Sequence, residues 1–591
     1  MVTFNNGPGV YVSESALSSL APATTSGTAA VFYGTAERGP QVATLITDWA
    51  SYKSTYGDLK NEYDLGYAVY HYFANGGRSC YVVRVTAEAG VAAGTDSAGV
   101  AFYPRGFLSA DLTATSASVS LTDNVATVVT DAAHGIIVGD TVTVSGLTTN
   151  ALNATDVVVT AVPTADSFSY ALTAADVAST ADTTGTATVT AASRTYVAFD
   201  VDAISKGVWG NDVTVSVTLD QRVSPTSTVH STFNLSVTYE GVEVEKWVSL
   251  SIDPNDSRYI VNYVNNYSKY VRVSNVNPSA PSPTSSETFV TGGVTLSSGT
   301  DGTVQTSDYQ RDVDAIDTIR GNLILNAPGR TDVVTDLITK AINRGDSFVI
   351  IDSAEGADTV NELQATPWSS TSSYAAYYGP MLKMVDPAKS GVGAIRNTYP
   401  GGAIAGLYVR TENQRSVAKA PAGFNADIRG ALGTVGVFSD SEIGTLYDGS
   451  PHLNVLKPVA GAGVIVNGAR TLARSAPDKF IPVRRTLNYL KNSLKELTEF
   501  AVFEPNNEAL WRRLNTVVAG FLAEFYREGG LRGTTPGESY YVVCNSTNNT
   551  AVSIDQGIVN IEVGVALQYP AEYIVINLSQ WTGGSNAAES L

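Results

Sequence analysis

Residues 322–353, NLILNAPGRTDVVTDLITKAINRGDSFVIIDS, contain two apolar runs on either side of an amphipathic helical pattern. The pattern predicts a strand, a helix and a second strand. At this spacing the three elements form a right-handed βαβ unit whose strands are parallel. Gly345 follows the helical pattern as a C-cap would, so we interpret the RGD triplet at 344–346 as a helix end rather than an adhesion motif. The stretch therefore predicts a parallel sheet.

The chain on either side continues this mixed pattern. Residues 26 to about 100 contain the strand patterns TAAVFYGTA and CYVVRVT and the helical pattern DLGYAVYHYFANGG. From about residue 196 the alternating runs DVTVSVTL and TFNLSVTYEG predict further strands. Most of the chain is therefore expected to be mixed α and β.

Length and charge limit the possible functions. With 591 residues the chain is too long for one hydrophobic core, and about three to five domains are expected. Only 16% of its residues are charged, and the formal net charge is −19. Nucleic-acid binding depends on clustered Lys and Arg, so no direct nucleic-acid partner is expected.

The sequence shows no sign of export or membrane insertion. The start, MVTFNNGPGV, has no basic or apolar segment of a signal peptide, and no apolar run reaches the ~18 residues of a membrane span. Its two cysteines, Cys80 and Cys544, lie far apart inside apolar runs. We therefore expect a cytosolic chain with buried thiols, no disulfide and no membrane insertion.

Residues 106–193 differ in composition from the rest of the chain. The segment contains no Lys, Arg or Glu, and short Thr- and Val-rich runs alternate with Asp, Asn and Gly turns. This pattern favours a small β-sandwich or barrel. A disordered linker is the alternative, but β-branched runs of period two are not typical of disorder.

The segment PGVYVSE, residues 8–14, alternates like a strand, with Val10 and Val12 on one face and Tyr11 on the other. The Ser- and Thr-rich run that follows provides no turn to a local partner strand. Because an unpaired strand leaves backbone N–H and C=O groups without partners, something else must pair with it.

The C-terminal region predicts two helices followed by strands. TLNYLKNSLKEL carries an apolar stripe and, beside it, a largely basic stripe that includes Lys491 and Lys495. NNEALWRRLNTVVAGFLAEFYREGG is a second helix that Asn507 can cap. GIVNIEVGVALQ and EYIVINLSQW alternate as strands. The basic stripe is consistent either with a solvated helix face or with a negatively charged partner.

No constellation of catalytic residues is found. The four histidines show no metal-ligand spacing, no GxSxG elbow occurs, and AGAGVIVNG lacks the pattern of a nucleotide loop. We therefore expect no enzyme activity, no cofactor and no metal.

Several blocks, in this order and spacing, resemble the tail sheath proteins of contractile bacteriophage tails and related contractile injection systems. The resemblance covers nearly the whole chain except residues 106–193, and the segment 477–537 is the most specific. The blocks are PGVYVSE, FANGGRSCYVVRV, GVWGNDVTV, PNDSRYIVNYVNNYSKYV, GGVTLSSGTDGTVQTSDY, APDKFIPVRRTLNYLKNSLKE, FEPNNEALWRRLNTVVAGFLAEFYREGGLRG, YYVVCN and VALQYPAEYIVINLSQ.

The resemblance implies a structural subunit that forms stacked six-subunit rings around a tube and contracts to drive the tube through a target envelope. It implies a multidomain α/β and α+β fold, with a subtilisin-like α/β domain that lacks catalytic residues, a C-terminal α+β domain with extended terminal arms, and an inserted all-β domain. The expected segments are 1–25 (N-terminal arm and linker, part of the inner sheath core), 26–105 (N-terminal α/β part), 106–193 (inserted β-sandwich-like outer domain), 194–470 (α/β subtilisin-like domain) and 471–591 (C-terminal α+β inner domain with its arm).

The resemblance also suggests partners and contact residues. Expected partners are neighbouring sheath subunits, a tail tube protein, and baseplate and tail terminator proteins, in a virion tail assembled in the host cytoplasm. We expect the arm to pair with a neighbouring subunit's sheet and the basic helix to face the tube. The arm residues are Val10, Tyr11, Val12, Ile574, Ile576 and Leu578, and the tube-facing residues are Arg484, Arg485, Lys491 and Lys495.

Two other classes of protein remain open. A surface-layer protein or adhesin would fit the acidic, Thr-rich β content but would need an export signal. An unusual hydrolase on the α/β domain would need a nucleophile and base that the sequence does not provide. The sequence does not distinguish a phage sheath from that of a phage-derived injection system.

Overall fold

The computed structural model describes residues 28–92, 100–102, 113–191 apart from 133, 135 and 137, 196–219, 232–276, 293–389, 394–475 and 479–573. The fold is described for these residues alone.

Strands are spread over the whole described chain. In chain order they are β1 (Ala29–Gly34), β2 (Thr44–Ile46), β3 (Cys80–Arg84), β4 (Val100–Phe102), β5 (Thr113–Thr122), β6 (Val125–Thr130), β7 (Thr141–Ser145), β8 (Ala154–Thr164), β9 (Ser167–Ala171), β10 (Val177–Ala181), β11 (Thr186–Ala191), β12 (Tyr196–Ala203), β13 (Val213–Leu219), β14 (Phe233–Tyr239), β15 (Val242–Leu250), β16 (Val271–Ser274), β17 (Val294–Thr295), β18 (Leu323–Asn326), β19 (Ser347–Asp352), β20 (Ala375–Gly379), β21 (Leu382–Val385), β22 (Ile395–Thr398), β23 (Ala431–Thr434), β24 (Leu453–Val459), β25 (Gly463–Asn467), β26 (Tyr540–Val543) and β27 (Glu562–Val565).

Most helices lie in the C-terminal half of the chain. They are α1 (Trp49–Tyr56), α2 (Asp64–Ala74), α3 (Ile260–Tyr267), α4 (Thr306–Asp312), α5 (Val334–Arg344), α6 (Val360–Gln364), α7 (Gly401–Gln414), α8 (Asp440–Asp448), α9 (Ile481–Thr498), α10 (Glu508–Arg527), α11 (Pro536–Ser539) and α12 (Ala551–Asp555). Within the described ranges, no helix combines the length and the apolar character needed to cross a membrane.

The chain divides into two compact units. One combines Met1–Thr86 with Val304–Leu591, and the other is Ala87–Thr303. The sequence-based boundaries separate residues 26–105 from 194–470, whereas the structure places strands of both segments in one sheet. The reason is that β1 pairs with β18, about 290 residues later, a contact that no local pattern reveals.

An eight-stranded sheet forms the centre of the first unit, in the order β2-β3-β1-β18-β19-β20-β24-β25. The strands from β3 to β24 are parallel, and β2 and β25 pair antiparallel at the two edges. The predicted βαβ unit is confirmed as β18, α5 and β19, with Gly345 at φ 72° as the C-cap of α5. All residues of β18 and β19 are buried, as expected for a parallel sheet covered on both faces.

Two hydrophobic clusters cover the two faces of this sheet. One cluster includes Phe32, Ile324 and Ile350, and the other includes Val31, Leu325 and Ile351. Neighbouring residues of one strand belong to different clusters because side chains alternate across a strand. The sheet is therefore a rigid, two-sided core.

The second unit contains two kinds of β-structure. The sheets β15-β14-β13-β17 and β16-β12-β4 share a hydrophobic cluster with α3. Residues 113–191 form only strands and one short 3₁₀ turn. Strand pairing runs from β5 through β11, β7, β8, β9 and β6 back to β5. This closed ring is a barrel, one of the two architectures that the pattern of the segment favours, and not the sandwich-like domain expected for 106–193.

The C-terminal residues 479–573 combine helices with a small sheet. Helices α9 and α10 and the strands β26 and β27 enclose a hydrophobic cluster that includes Leu490, Val518 and Phe525. The strand predicted over GIVNIEVGVALQ, 557–568, was too long: only Glu562–Val565 is a strand, although Val559 and Ile561 also pack against a core cluster. Alternation alone did not show where strand pairing begins.

Candidate functional site

A two-stranded sheet lies near the C-terminus of the described chain. Strands β26 and β27 are antiparallel, with Tyr540 opposite Val565 and Val543 opposite Glu562. Apart from a bridge between Leu531 and Leu567, no other described strand pairs with either of them. Such a pair has backbone donors and acceptors on its outer edges that can accept a further strand.

The inner face of this sheet is fixed by packing. Tyr540 and Val542, and opposite them Val563 and Val565, contact the hydrophobic cluster of α9 and α10. On the outer face the Tyr541 hydroxyl, 2.8 Å from Glu562 Oε1, donates a hydrogen bond to it. The two strands are therefore held in place before any third strand is added.

Helix α10 packs against this sheet through a shared hydrophobic cluster, and its start is fixed by a cap. Asn507 Oδ1 accepts hydrogen bonds from the backbone N–H groups of Ala509 at 3.0 Å and Leu510 at 3.1 Å, which confirms the predicted N-cap. Phe521 and Phe525 are buried as the apolar face predicted.

The start of the described chain is anchored by a buried ion pair. Thr28 Oγ1 donates to both carboxylate oxygens of Glu412, at 2.8 and 2.9 Å. Arg485 Nη2 lies 2.8 Å from Glu412 Oε2, and the guanidinium carbon of Arg485 lies 4.6 Å from the centre of the Tyr408 ring. These contacts fix the point at which residues 1–27 join the core.

The end of the described chain is anchored by a second ion pair. Arg470, whose side chain is only 3% exposed, donates to Glu572 through Nε at 2.9 Å and Nη2 at 2.7 Å. The Tyr447 hydroxyl donates to Glu572 Oε1 at 2.5 Å, and Arg470 Nη1 lies 2.5 Å from Asp448 Oδ1. Burial acts to raise the pKa of Glu572, but the hydrogen bonds from Arg470 and Tyr447 outweigh it and hold this pKa below its usual range. Residues 574–591 therefore follow a fixed point.

The expected arm residues lie outside the described residues. These are Val10, Tyr11, Val12, Ile574, Ile576 and Leu578.

Two of the four residues of α9 expected to face the tube are engaged inside the subunit. Arg484 and Arg485 are buried, 3% and 6% exposed, and each packs over a tyrosine ring of its own chain. Lys491 is half-buried and donates to the Tyr374 hydroxyl at 3.3 Å, whereas Lys495 is exposed. The largely basic stripe predicted for α9 consists of Arg484, Asn488, Lys491 and Lys495. Its first three members contact Tyr374 or Ser347, at the amino ends of β20 and β19.

The carboxyl edge of the parallel sheet is the place where an enzyme of this fold would bind its substrate. There the Asp352 carboxylate accepts hydrogen bonds from Asn326 Nδ2 at 3.0 Å and from Gly401 N at 2.6 Å. Burial, partly offset by these hydrogen bonds, raises the pKa of Asp352 to about 6. A Cβ on Gly401 would come within 2.2 Å of Asn326, so glycine lets α7 begin inside this crevice.

This arrangement binds a helix end rather than a ligand. The first turn of α7 occupies the space at the ends of β18 and β19. Within the described ranges, no group of three or more His, Cys, Asp or Glu side chains is arranged to hold a metal ion.

Sequence reasoning did not identify Glu412, Arg470 or Glu572. Their partners are distant in sequence: Arg485 is 73 positions from Glu412, and Arg470 is 102 positions from Glu572. A charged residue inside an apolar run, such as Glu572 in PAEYIVI, was the one available signal that a buried partner exists.

Comparison with known proteins gives consistent matches. Residues 476–580 match the family model of the phage tail sheath C-terminal domain. The chain is 29% identical over 274 residues to the tail sheath protein of Enterobacteria phage T4, covering 45% of this chain and 38% of that protein. It is 27% identical over 191 residues to the tail sheath protein of Vibrio phage KVP40, covering 32% of this chain and 27% of that protein. The matches thus span well under half the length of either relative.

Solved structures share the fold over most of the chain. The PVC sheath complex of an extracellular contractile injection system, in its contracted state, has a TM-score of 0.50 at 18% identity, covering 98% of this chain and 99% of that chain. A sheath tail protein from Listeria innocua has a TM-score of 0.51 at 13% identity, covering 89% and 90%. The mixed α/β multidomain fold is thus that of sheath proteins. The chain thus carries a match to the phage tail sheath C-terminal domain at residues 476–580 and resembles tail sheath proteins in sequence and in fold.

Proposed function

We propose that this chain is a tail sheath subunit that assembles as stacked six-subunit rings around a tail tube and contracts to drive the tube through a target envelope. The observation that carries the proposal is the sheet β26–β27, whose outer edges pair with no other described strand apart from the single Leu531–Leu567 bridge. A subunit that must stay attached to its neighbours while they reorient needs tethers, and an added strand supplies several backbone hydrogen bonds.

The two termini are the proposed tethers. Val10, Tyr11 and Val12 of one subunit would add to a sheet of a neighbour, beside a strand that contains Ile574 and Ile576. The anchors at Thr28 and Glu572 favour this arrangement, because tension on an arm would then act on a fixed point of the core rather than unravel it. Residues 15–28, rich in Ser, Ala and Thr, would serve as the hinge, which ends at the anchored Thr28.

The tube contact is proposed for the exposed end of α9. Lys495 and the partly exposed Lys491 are the remaining candidates, since Arg484 and Arg485 are engaged inside the subunit. Exposed ion pairs of this kind are individually weak, but they would be repeated in every subunit.

Two finer features of the fold are part of the same proposal. The α/β unit would be a subtilisin-like domain without catalytic residues, and the filled crevice at Asp352 is consistent with this reading. Residues 106–193 would be an insertion on the outer side of the sheath, where it can obstruct neither the tube nor the ring contacts. Baseplate and terminator proteins would contact the two ends of the sheath, in a virion tail assembled in the host cytoplasm.

A phage-derived injection system is the second candidate setting. The likeness of fold to the PVC sheath complex over 98% of the chain favours it, whereas the curated relatives are phage proteins. The role of the subunit is the same in either setting.

Removal of residues 1–14 tests the tether. We expect the truncated chain to unfold cooperatively at the temperature of the full chain, because the partners of the arm lie outside the subunit. Negative-stain microscopy should show tubes or rings for the full chain and none for the truncated chain. Tubes formed by the truncated chain would refute the arm, and a full chain that forms neither tubes nor rings would refute the sheath function.

A further inference from the structure

Phe503 is an exposed aromatic side chain on a strained backbone. It lies in the connection between α9 and α10, it is 87% exposed, and its φ is 68°. A bulky side chain in this region of φ is unfavourable, and an exposed phenyl ring gains nothing from the core. A residue that is unfavourable on both counts in the isolated chain is typical of a contact surface for a partner.

The surroundings of Phe503 are acidic. Glu504 is exposed and has no ion-pair partner among the described residues. Glu499 lies 3.2 Å from Arg320, so its charge is already balanced. The complementary surface should therefore be apolar and carry one cation.

The three-stranded sheet β22-β21-β23 offers such a surface. Val385 and Ile395, paired across the strands, are 55% and 52% exposed, and Leu432, at a bulge in β23, is 60% exposed. Lys383 is exposed as well and has no ion-pair partner within the described part of the chain. We call Val385, Ile395, Leu432 and Lys383 the sheet patch.

We propose that Phe503 of one copy of this chain packs on the sheet patch of a second copy, with Glu504 paired to Lys383. Both surfaces are exposed in the same subunit, so neither is occupied by the other within one chain. The second copy is favoured as the occupant because the unpaired charges are opposite and the apolar groups are matched. Two different surfaces in contact form a heterologous interface, which propagates into rings or helices rather than closing a dimer.

This inference rests on the proposed function, which requires copies to polymerise. It adds a rigid contact, separate from the flexible tethers at the termini.

Charge reversal tests the ion pair. Glu504→Lys and Lys383→Glu should each lower the yield of polymer at low salt at least about tenfold, because a like charge then faces the partner. The double variant should restore the polymer yield to within about twofold of that of the wild-type chain. Thermal unfolding of the monomers should not change, since both side chains are exposed. Single variants that polymerise normally, or a double variant that is not restored, would overturn the contact.

Phe503→Gly separates the aromatic contact from folding. Glycine tolerates the positive φ, so the monomer should unfold at the same or a higher temperature, while the polymer yield should fall at least about tenfold. Phe424→Ala is the matched control, because Phe424 is 73% exposed and lies off the sheet patch, and it should polymerise normally. Normal polymerisation of Phe503→Gly would overturn the proposal.

Cysteine cross-linking identifies the partner. In assembled sheaths, the double variant Glu504→Cys with Lys383→Cys should form a ladder of disulfide-linked multimers, whereas each single variant should form none. The native Cys80 and Cys544 are buried and should not contribute. Intact sheaths without a ladder, or dimers from Glu504→Cys alone, would contradict this contact and leave the proposed function standing. A wild-type chain that never polymerises would contradict both.

Discussion

At the scale of single residues, the informative side chains are charged groups that the chain buries and pairs. Arg470, Arg485 and Glu412 are all nearly or largely buried, and each is satisfied by a partner distant in sequence. Removing one partner of a buried ion pair destabilises the fold by more free energy than the pair contributes, because the remaining charge is buried without a counter-charge. At these residues, loss of either partner is therefore expected to lower the stability of the fold.

The anchor at Glu572 should be sensitive to loss of its partner. Arg470→Met leaves the Glu572 carboxylate with only the Tyr447 hydroxyl, and we expect the free energy of unfolding to fall by about 3 kcal/mol. Denaturant titration of the full chain measures this change. Arg512→Met is the control, because Arg512 is 79% exposed and lies 3.9 Å from Glu508, and its effect should stay within about 0.5 kcal/mol. Equal effects of the two substitutions would show that Arg470 anchors nothing.

Asp352 should give stability an unusual pH dependence. Its pKa of about 6 in the folded chain lies above the ~3.9 of an unfolded aspartate. Between these values only the unfolded chain loses the proton, so this group's contribution to stability falls as the pH rises from about 4 to about 6, by at most ~3 kcal/mol.

Asp352→Asn removes this titration. Relative to the wild type, the variant should gain stability between about pH 4 and pH 7, as followed by urea denaturation at a series of pH values. A stability difference that is constant over this range would contradict the raised pKa.

At the scale of elements, local sequence predicted what local interactions determine. The cap at Asn507 and the helix end at Gly345 follow from hydrogen bonds within a few residues, and both were found. The burial of Arg484 and Arg485 in α9 was not predictable in this way, because it depends on Tyr374 and Glu412, which no helical pattern contains. The ends of helices were thus predictable because their determinants are local. Which face of a helix is buried was not predictable where burial depends on residues distant in sequence.

Substitution of Gly345 tests the C-terminal end of helix α5. Its φ of 72° is strained for any residue with a Cβ, so Gly345→Ala should lower the free energy of unfolding by about 1 kcal/mol. Gly444 in α8 has no positive φ, and a Cβ there meets no atom within 4 Å. Gly444→Ala should therefore be neutral or raise stability by up to about 1 kcal/mol. Thermal unfolding of the two variants measures this difference. A higher melting temperature for Gly345→Ala than for Gly444→Ala would contradict the assigned C-cap.

At the scale of the whole molecule, the chain combines a parallel sheet covered on both faces with anchored residues, Thr28 and Glu572, near the two ends of the described chain. The family relationship was predictable from sequence because its motifs are spread over the chain in order. The pairing of strands from 26–105 with strands from 304–470 in one sheet was not predictable. The whole second unit, Ala87–Thr303, lies between β1 and β18 in the sequence.

Residues 106–193 should be dispensable for assembly. Their barrel closes its own strand ring and contains its own hydrophobic cluster, so removing it should leave the rest of the fold intact. A chain in which a short Gly-Ser linker replaces 106–193 should form tubes of the same appearance by electron microscopy. Failure of this folded variant to assemble would place the barrel in the ring contacts.

The central claim is that copies of this chain are linked by strand addition at β26–β27. The most direct measurement is a cryo-EM structure of the polymer formed by the full chain, at a resolution that traces the backbone. The account predicts that residues 10–12 of one copy, beside residues 574–578, lie as added strands along β26–β27 of a different copy. Residues 10–12 paired only within their own copy, or β26–β27 edges that stay open in the polymer, would contradict it.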